Sequence, residues 1–148
     1  MKEINKSLLD KAIVILNKLG IENKDIMILG SIALDIIGLF PLNRHQAHDV
    51  DVMIKCTEEK EKQITELSKL LESISNKKTS SDNSSIILNV NNVIINIWFV
   101  RPEYNFNTMI KLENGIWVEK PIDCIKKKKQ FGRIKDYQDI RNIIFQII

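Results

Sequence analysis

The 148 residues include 44% hydrophobic and 28% charged side chains with a net charge of +3; such a chain can bury a core of its own without disulfides or a structural metal. No apolar run approaches the roughly 20 residues that cross a bilayer, the opening Met1-Lys2-Glu3-Ile4-Asn5-Lys6 lacks the layout of a secretory signal, and so small a charge does not by itself point to nucleic acid. Cys56 and Cys124 stand far apart with no CxxC, which reads as two reduced thiols in a cytoplasmic protein.

Leu8, Leu9, Ala12, Ile13, Ile15, Leu16 and Leu19 recur at helical spacing before Gly20, so a first helix is expected over residues 5–19. Asp25–Leu29 is a short apolar run ending in Gly30-Ser31 and reads as a buried strand. Ile32–Gly38 is expected to be a short helix closed by Gly38 and Pro41, and Asn43–His48 a polar loop. Asp49–Ile54 alternates as a second strand.

Residues 58–74 form an amphipathic pattern, with Ile64, Leu67, Leu70, Leu71 and Ile74 on one side and Glu59, Lys60, Glu61, Lys62 and Lys69 on the other. Asn76–Ser85 is Ser- and Lys-rich and reads as a loop. Ile86–Val90 and Val93–Val100 flank Asn91-Asn92, while Met109–Glu113 and Ile116–Glu119 flank Asn114-Gly115; both are hairpin signals. Pro121 can open a helix, and a last helix over 136–147 places Ile140, Ile143, Ile144 and Ile147 on one stripe. No repeat or linker divides the chain, which reads as one domain over 1–148. The alternation of helices and strands predicts an α/β (α+β) fold, a mixed sheet with helices packed against it.

Asp49 and Asp51 are two apart on a strand, so their side chains leave from one face, with Val50, Val52 and Ile54 on the other. Two neighbouring carboxylates repel unless a cation sits between them, and a hard divalent ion takes such ligands together with substrate phosphates. Gly30-Ser31 falls at a strand-to-helix turn, where glycine lets the backbone approach a phosphate and serine adds a donor.

Together, Leu29-Gly30-Ser31-Ile32-Ala33-Leu34 and His48-Asp49-Val50-Asp51-Val52 resemble the signature of the polymerase-beta-like nucleotidyltransferase superfamily. Gly38 and Arg44 resemble its subgroup of small antibiotic nucleotidyltransferases and nucleotidyltransferase-like toxins. So does the stretch Pro121–Ile125, Lys126–Lys129 and Gly132–Ile140, in which a lysine precedes Arg-x-Lys-Asp-x-x-Asp. The resemblance spans about residues 25–147. It implies a nucleotidyltransferase-like mixed sheet and a reaction in which an acceptor hydroxyl attacks the α-phosphate of a nucleoside triphosphate. Two metal ions such as Mg²⁺ would assist. By the match, Gly30 and Ser31 hold the triphosphate, Asp49 and Asp51 hold metal, and Lys135 or one of Lys126–Lys129 neutralises phosphate.

Active members of that superfamily carry a third carboxylate on a later strand. The matching strand, Val93–Val100, offers Asn96, which can ligate a cation through its carbonyl but cannot take a proton. Glu103, just beyond, could reach back or stand exposed in a loop. His45 and His48 with Asp49 and Asp51 could be drawn as a transition-metal site, but no second element completes it.

Two main functions follow. One is a metal-dependent nucleotidyltransferase with Asp49, Asp51 and Asn96 at its catalytic centre and an acceptor surface completed by a protein partner or a second copy. The other is a degenerate nucleotidyltransferase-like module serving binding or assembly, for example in a phage particle. A nucleic-acid binder using the lysines is a third reading, weakened by the 6% aromatic content.

Overall fold

The alternating apolar residues of three segments build the centre of the molecule. In a computed structural model, which describes residues 1–75, 80–81 and 85–148, β1 (Ile26–Leu29), β2 (Val50–Lys55) and β5 (Val93–Val100) lie side by side. The other strands are β3 (Ser80–Ser81), β4 (Ser85–Val90), β6 (Ile110–Lys111) and β7 (Trp117–Val118). The sheet order is β3-β4-β5-β2-β1-β7-β6. It is mixed, as expected: β2 runs parallel to β5 and antiparallel to β1, and β1 is parallel to β7.

The helices are α1 (Glu3–Lys18), α2 (Gly30–Ile36), α3 (Glu58–Ser75), α4 (Pro121–Phe131) and α5 (Ile134–Ile147). Each buries apolar side chains in one cluster with Ile28, Val50, Val52, Ile54, Ile95 and Ile97, all wholly enclosed. A fully buried side chain of this size contributes roughly 1.5–3 kcal/mol, so this layer is the main source of stability. A second, smaller cluster lies on the opposite face of the central strands. There Phe106, from the segment after β5, covers Met27 and Leu29 and meets the Trp117 ring edge-on at 6.0 Å.

Local punctuation follows the residue chemistry. Asn91 and Asn92 both adopt positive φ (49° and 68°), joining β4 to β5 as a tight turn. Pro121 opens α4 and Gly132 closes it in the left-handed region.

Two expected stripes pack differently. On α3, Ile64 is buried, but Leu67 and Leu70 are exposed. Ser68 goes inward instead, its hydroxyl donating to the Ile64 carbonyl at 2.8 Å, which lets a small polar residue sit against the sheet without an unmet hydrogen bond. Leu71 and Ile74 have side chains outside those described. On α5, Ile143 is buried while Ile144 and Ile147 are exposed.

Most of the loop expected over 76–85 lies outside the described residues, apart from Ser80–Ser81 in β3 and Ser85 at the start of β4. Cys56 and Cys124 are buried free thiols. Among the described residues no helix is long and apolar enough to cross a membrane.

Candidate functional site

Strand register determines which polar groups meet. Asp51 on β2 pairs across the sheet with Leu29 at the end of β1 and with Asn96 on β5, and paired residues project from the same face. Asp49 enters just before β2. The Asn96 amide nitrogen donates to Asp49 Oδ2 at 2.8 Å and to Asp51 Oδ1 at 2.7 Å, so one small group spans both carboxylates.

The turn beside them is crowded. Gly30 sits at φ +64°, and a Cβ there would meet Asp51 Oδ2 at 2.9 Å. Only glycine combines this backbone conformation with so close a carboxylate. The Cys124 thiol of α4 donates to the Gly30 carbonyl at 3.9 Å, and burial pushes that thiol well above its usual range. It therefore stays protonated and serves as packing and donor. Burial, then repulsion from Asp49, raises the Asp51 carboxyl from 3.8 to about 6.

A cationic cluster adjoins this carboxylate pair. Ser31 Oγ accepts from Arg44 Nη1 at 2.6 Å, which leaves the hydroxyl proton free to donate elsewhere. Lys128 Nζ donates to Asp139 Oδ2 at 2.9 Å, and Arg44 Nη1 lies 3.7 Å from the same oxygen. Asn43 Nδ2 approaches Asp139 Oδ1 at 3.5 Å. Asp139, almost fully buried, thus holds two cations next to Ser31.

The loop that supplies Arg44 and leads to Asp49 is tied down by the start of α1. The buried Asn5 amide donates to Asp35 Oδ2 at 2.8 Å and accepts from the Ala47 amide at 2.8 Å. Lys2 Nζ donates to the carbonyls of Arg44 and His45 at 3.3 and 2.9 Å.

No protein-family model matches the chain, and no curated protein sequence matches it. Among solved structures, a crystal structure of a putative nucleotidyltransferase from Thermotoga maritima is similar over 93% of this chain and 94% of its own, with 14% identity and a TM-score of 0.48. Any function must therefore rest on the residues themselves.

The structure brings Gly30, Ser31, Asp49, Asp51 and Asn96 together, along with Arg44, Asp139 and Lys128. Lys135 stands exposed in the first turn of α5, one turn before Asp139. Asp136 is a helix-start residue, accepting the Arg133 backbone amide at 3.1 Å and its guanidinium at 2.6 Å. His45, His48 and Glu103 are exposed.

Sequence reasoning missed Glu119. It is buried after β7, with Oε2 accepting from Lys127 at 2.6 Å and Oε1 lacking a hydrogen-bond partner among the described residues. The available signal was a lone charge ending the apolar Ile116–Val118 run.

The donors fit one hard divalent cation. Two carboxylates already converge on a single atom, and turning the Asn96 amide over would present its carbonyl as a third oxygen. No group of three or more His, Cys, Asp or Glu among the described residues could hold a metal. A cation here would therefore complete its shell from water or substrate.

Proposed function

We propose that this site binds a nucleoside triphosphate with a divalent cation and transfers its nucleoside monophosphate to an acceptor hydroxyl, as the motif resemblance implies. The observation that carries the reading is the adjacency of two unlike halves: the Asp49–Asp51 pair beside Gly30, and the Ser31, Arg44 and Lys128 donors next to it. Carboxylates that converge on one point suit a dication, and a hydroxyl with two cations suits the triphosphate's negative oxygens. Asp49 and Asp51 would hold the metal, with Asn96 turning its carbonyl toward it. When bound, that ion would polarise the phosphate and stabilise charge on the attacking and leaving oxygens. Gly30 allows close approach, Ser31 donates its free proton, and Lys128 and Arg44 orient the phosphates. In the transfer, the acceptor oxygen bonds to the α-phosphorus as the bond to pyrophosphate breaks, and the hydroxyl proton passes to solvent water, since Asn96 cannot take it. A protein partner or a second copy would supply the acceptor surface.

Asn96 favours a second reading, a binding or assembly module that has lost transfer. Its amide bridges both aspartates, and it has no group to receive the acceptor's proton. Incubation with Mg²⁺, each labelled triphosphate and a panel of acceptors separates the two. Release of pyrophosphate supports transfer. Mg²⁺-dependent binding without release, converted to release by Asn96→Asp, supports a decayed site. Failure of both proteins to bind any triphosphate removes the nucleotide reading altogether.

A further inference from the structure

The sheet order separates the two sides of the candidate reaction. Asp51 on β2 pairs with Leu29 on β1 and with Asn96 on β5. Gly30 and Ser31 follow β1 directly, so the turn that suits the phosphates lies on the β1 side of the carboxylate pair. In an in-line displacement the attacking oxygen approaches the phosphorus opposite the leaving group. An acceptor for that reaction therefore enters from the far side, over β5 and β4.

The surface on that side is apolar and aromatic. Ile87 on β4 pairs with Asn96, and Trp98 stands two residues further along β5, about 7 Å away. Both share the face of Asp51, because Ile86, Leu88, Ile95 and Ile97 are buried on the helix-covered side. Phe106 covers the β1 part of this face but leaves Ile87 41% and Trp98 36% exposed. The residues that β4 and β5 place on it, Ser85, Ile87, Asn89, Ile94, Asn96 and Trp98, are all uncharged, so it offers no ion pair to a phosphate or a carboxylate. An exposed indole is instead a stacking surface for a flat ring. Asn89 adds a polar preference. Its amide oxygen has no hydrogen-bond partner among the described residues, and an unmet acceptor favours a ring that carries N–H donors on its edge, as nucleobases do.

We infer that Ile87 and Trp98 form the chain's own share of the acceptor subsite, and that the acceptor is a nucleoside with its base stacked on Trp98 and its sugar hydroxyl directed to the carboxylate pair. The inference rests on the transfer reading above and specifies its acceptor. A nucleoside holds ring and hydroxyl on one compact frame, which matches an indole set one step along the strand from Asn96. The same chemistry is presented by a free nucleoside and by the terminal residue of an RNA strand.

Trp117→Phe leaves Trp98 as the single tryptophan, so its emission reports on this face whether or not the protein turns over. Free nucleosides or a short RNA with a free terminal hydroxyl should quench it, and the better quencher identifies the source. The quenching should persist when a non-hydrolysable triphosphate and Mg²⁺ are already bound, and it should be absent in Trp98→Phe, where Trp117 is the remaining reporter. In transfer assays Trp98→Ala should raise KM for the acceptor by roughly tenfold or more, with triphosphate affinity unchanged and most of the loss recovered in Trp98→Phe. No quenching by nucleosides or RNA overturns the inference. So does quenching that the triphosphate competes away, which would assign Trp98 to the donor's own base, and so does transfer to a peptide hydroxyl that is indifferent to Trp98→Ala. The two readings fail separately: absent pyrophosphate release strikes the transfer chemistry, whereas absent quenching strikes the stacking surface.

Discussion

Asp51 holds its charge against two opposing influences. Burial disfavours the carboxylate, Asp49 repels it, and the Asn96 amide compensates only in part, which leaves the group at about 6 against an ordinary 3.8. The native state therefore binds this proton more tightly than the unfolded chain does. The penalty for ionisation is present in full above about pH 6 and is relieved as pH falls through 6 toward 4. Its size is on the order of 3 kcal/mol at neutral pH. Asp51→Asn removes the charge and keeps an oxygen for the Asn96 amide. The variant should melt several degrees higher than wild type at pH 7.5, at roughly 2–4 °C per kcal/mol, and show no advantage at pH 4. The same variant should lose Mn²⁺ binding. In the wild type, Mn²⁺ affinity should fall about tenfold per pH unit below 6, because ion and proton compete for one carboxylate. A melting temperature lowered by Asp51→Asn at pH 7.5 would mean that the ionised carboxylate is a net stabiliser and would refute the account.

At the scale of elements, the sequence showed where helices lie more clearly than which way they face. The period of α1, the Asn91-Asn92 turn and the Pro121 start were all legible because their signals are local. The choice of lysine was not. Lys126 to Lys129 are consecutive, and four residues at 100° steps reach almost every side of a helix, so only the neighbouring helix selects among them. Asp139 on α5 selects Lys128, while Glu119 takes Lys127. Ser68 on α3 was hidden for a related reason: its inward position depends on a hydrogen bond to its own helix, which hydrophobic periodicity does not register. The pairing also makes the phosphate half of the site testable. Lys128→Met should weaken binding of a non-hydrolysable triphosphate by roughly tenfold or more, since a charge-assisted contact contributes about 1.5–3 kcal/mol, and Lys135→Met should leave it nearly unchanged. Calorimetry giving the reverse order would move the phosphates to the exposed side of α5.

At the scale of the whole molecule, four separate segments meet over the central strands of the sheet: the Gly30 turn after β1, Asp49 and Asp51 at β2, Asn96 on β5, and the α4–α5 hairpin. Strand order and direction put them there, and these are long-range choices that alternation within a strand does not encode. The residues of the site were legible as motifs, but Asn96 bridging both aspartates was not, because it depends on the parallel register of β2 with β5. Since that register is held by the fully buried Val52, Ile95 and Ile97, a cation bound over these central strands is linked to the stability of the whole sheet. Binding to the native state alone stabilises it by about 2.7 kcal/mol at a free ion concentration a hundred times the dissociation constant, which corresponds to a rise of roughly 5–10 °C in melting temperature for a chain of this length. Thermal melts with Mn²⁺ and triphosphate should show that rise in the wild type, a larger one in Asn96→Asp, and none in Asp49→Asn. If neither the wild type nor Asn96→Asp responds, the amide bridge, and not a cation, is the resident partner of the two aspartates.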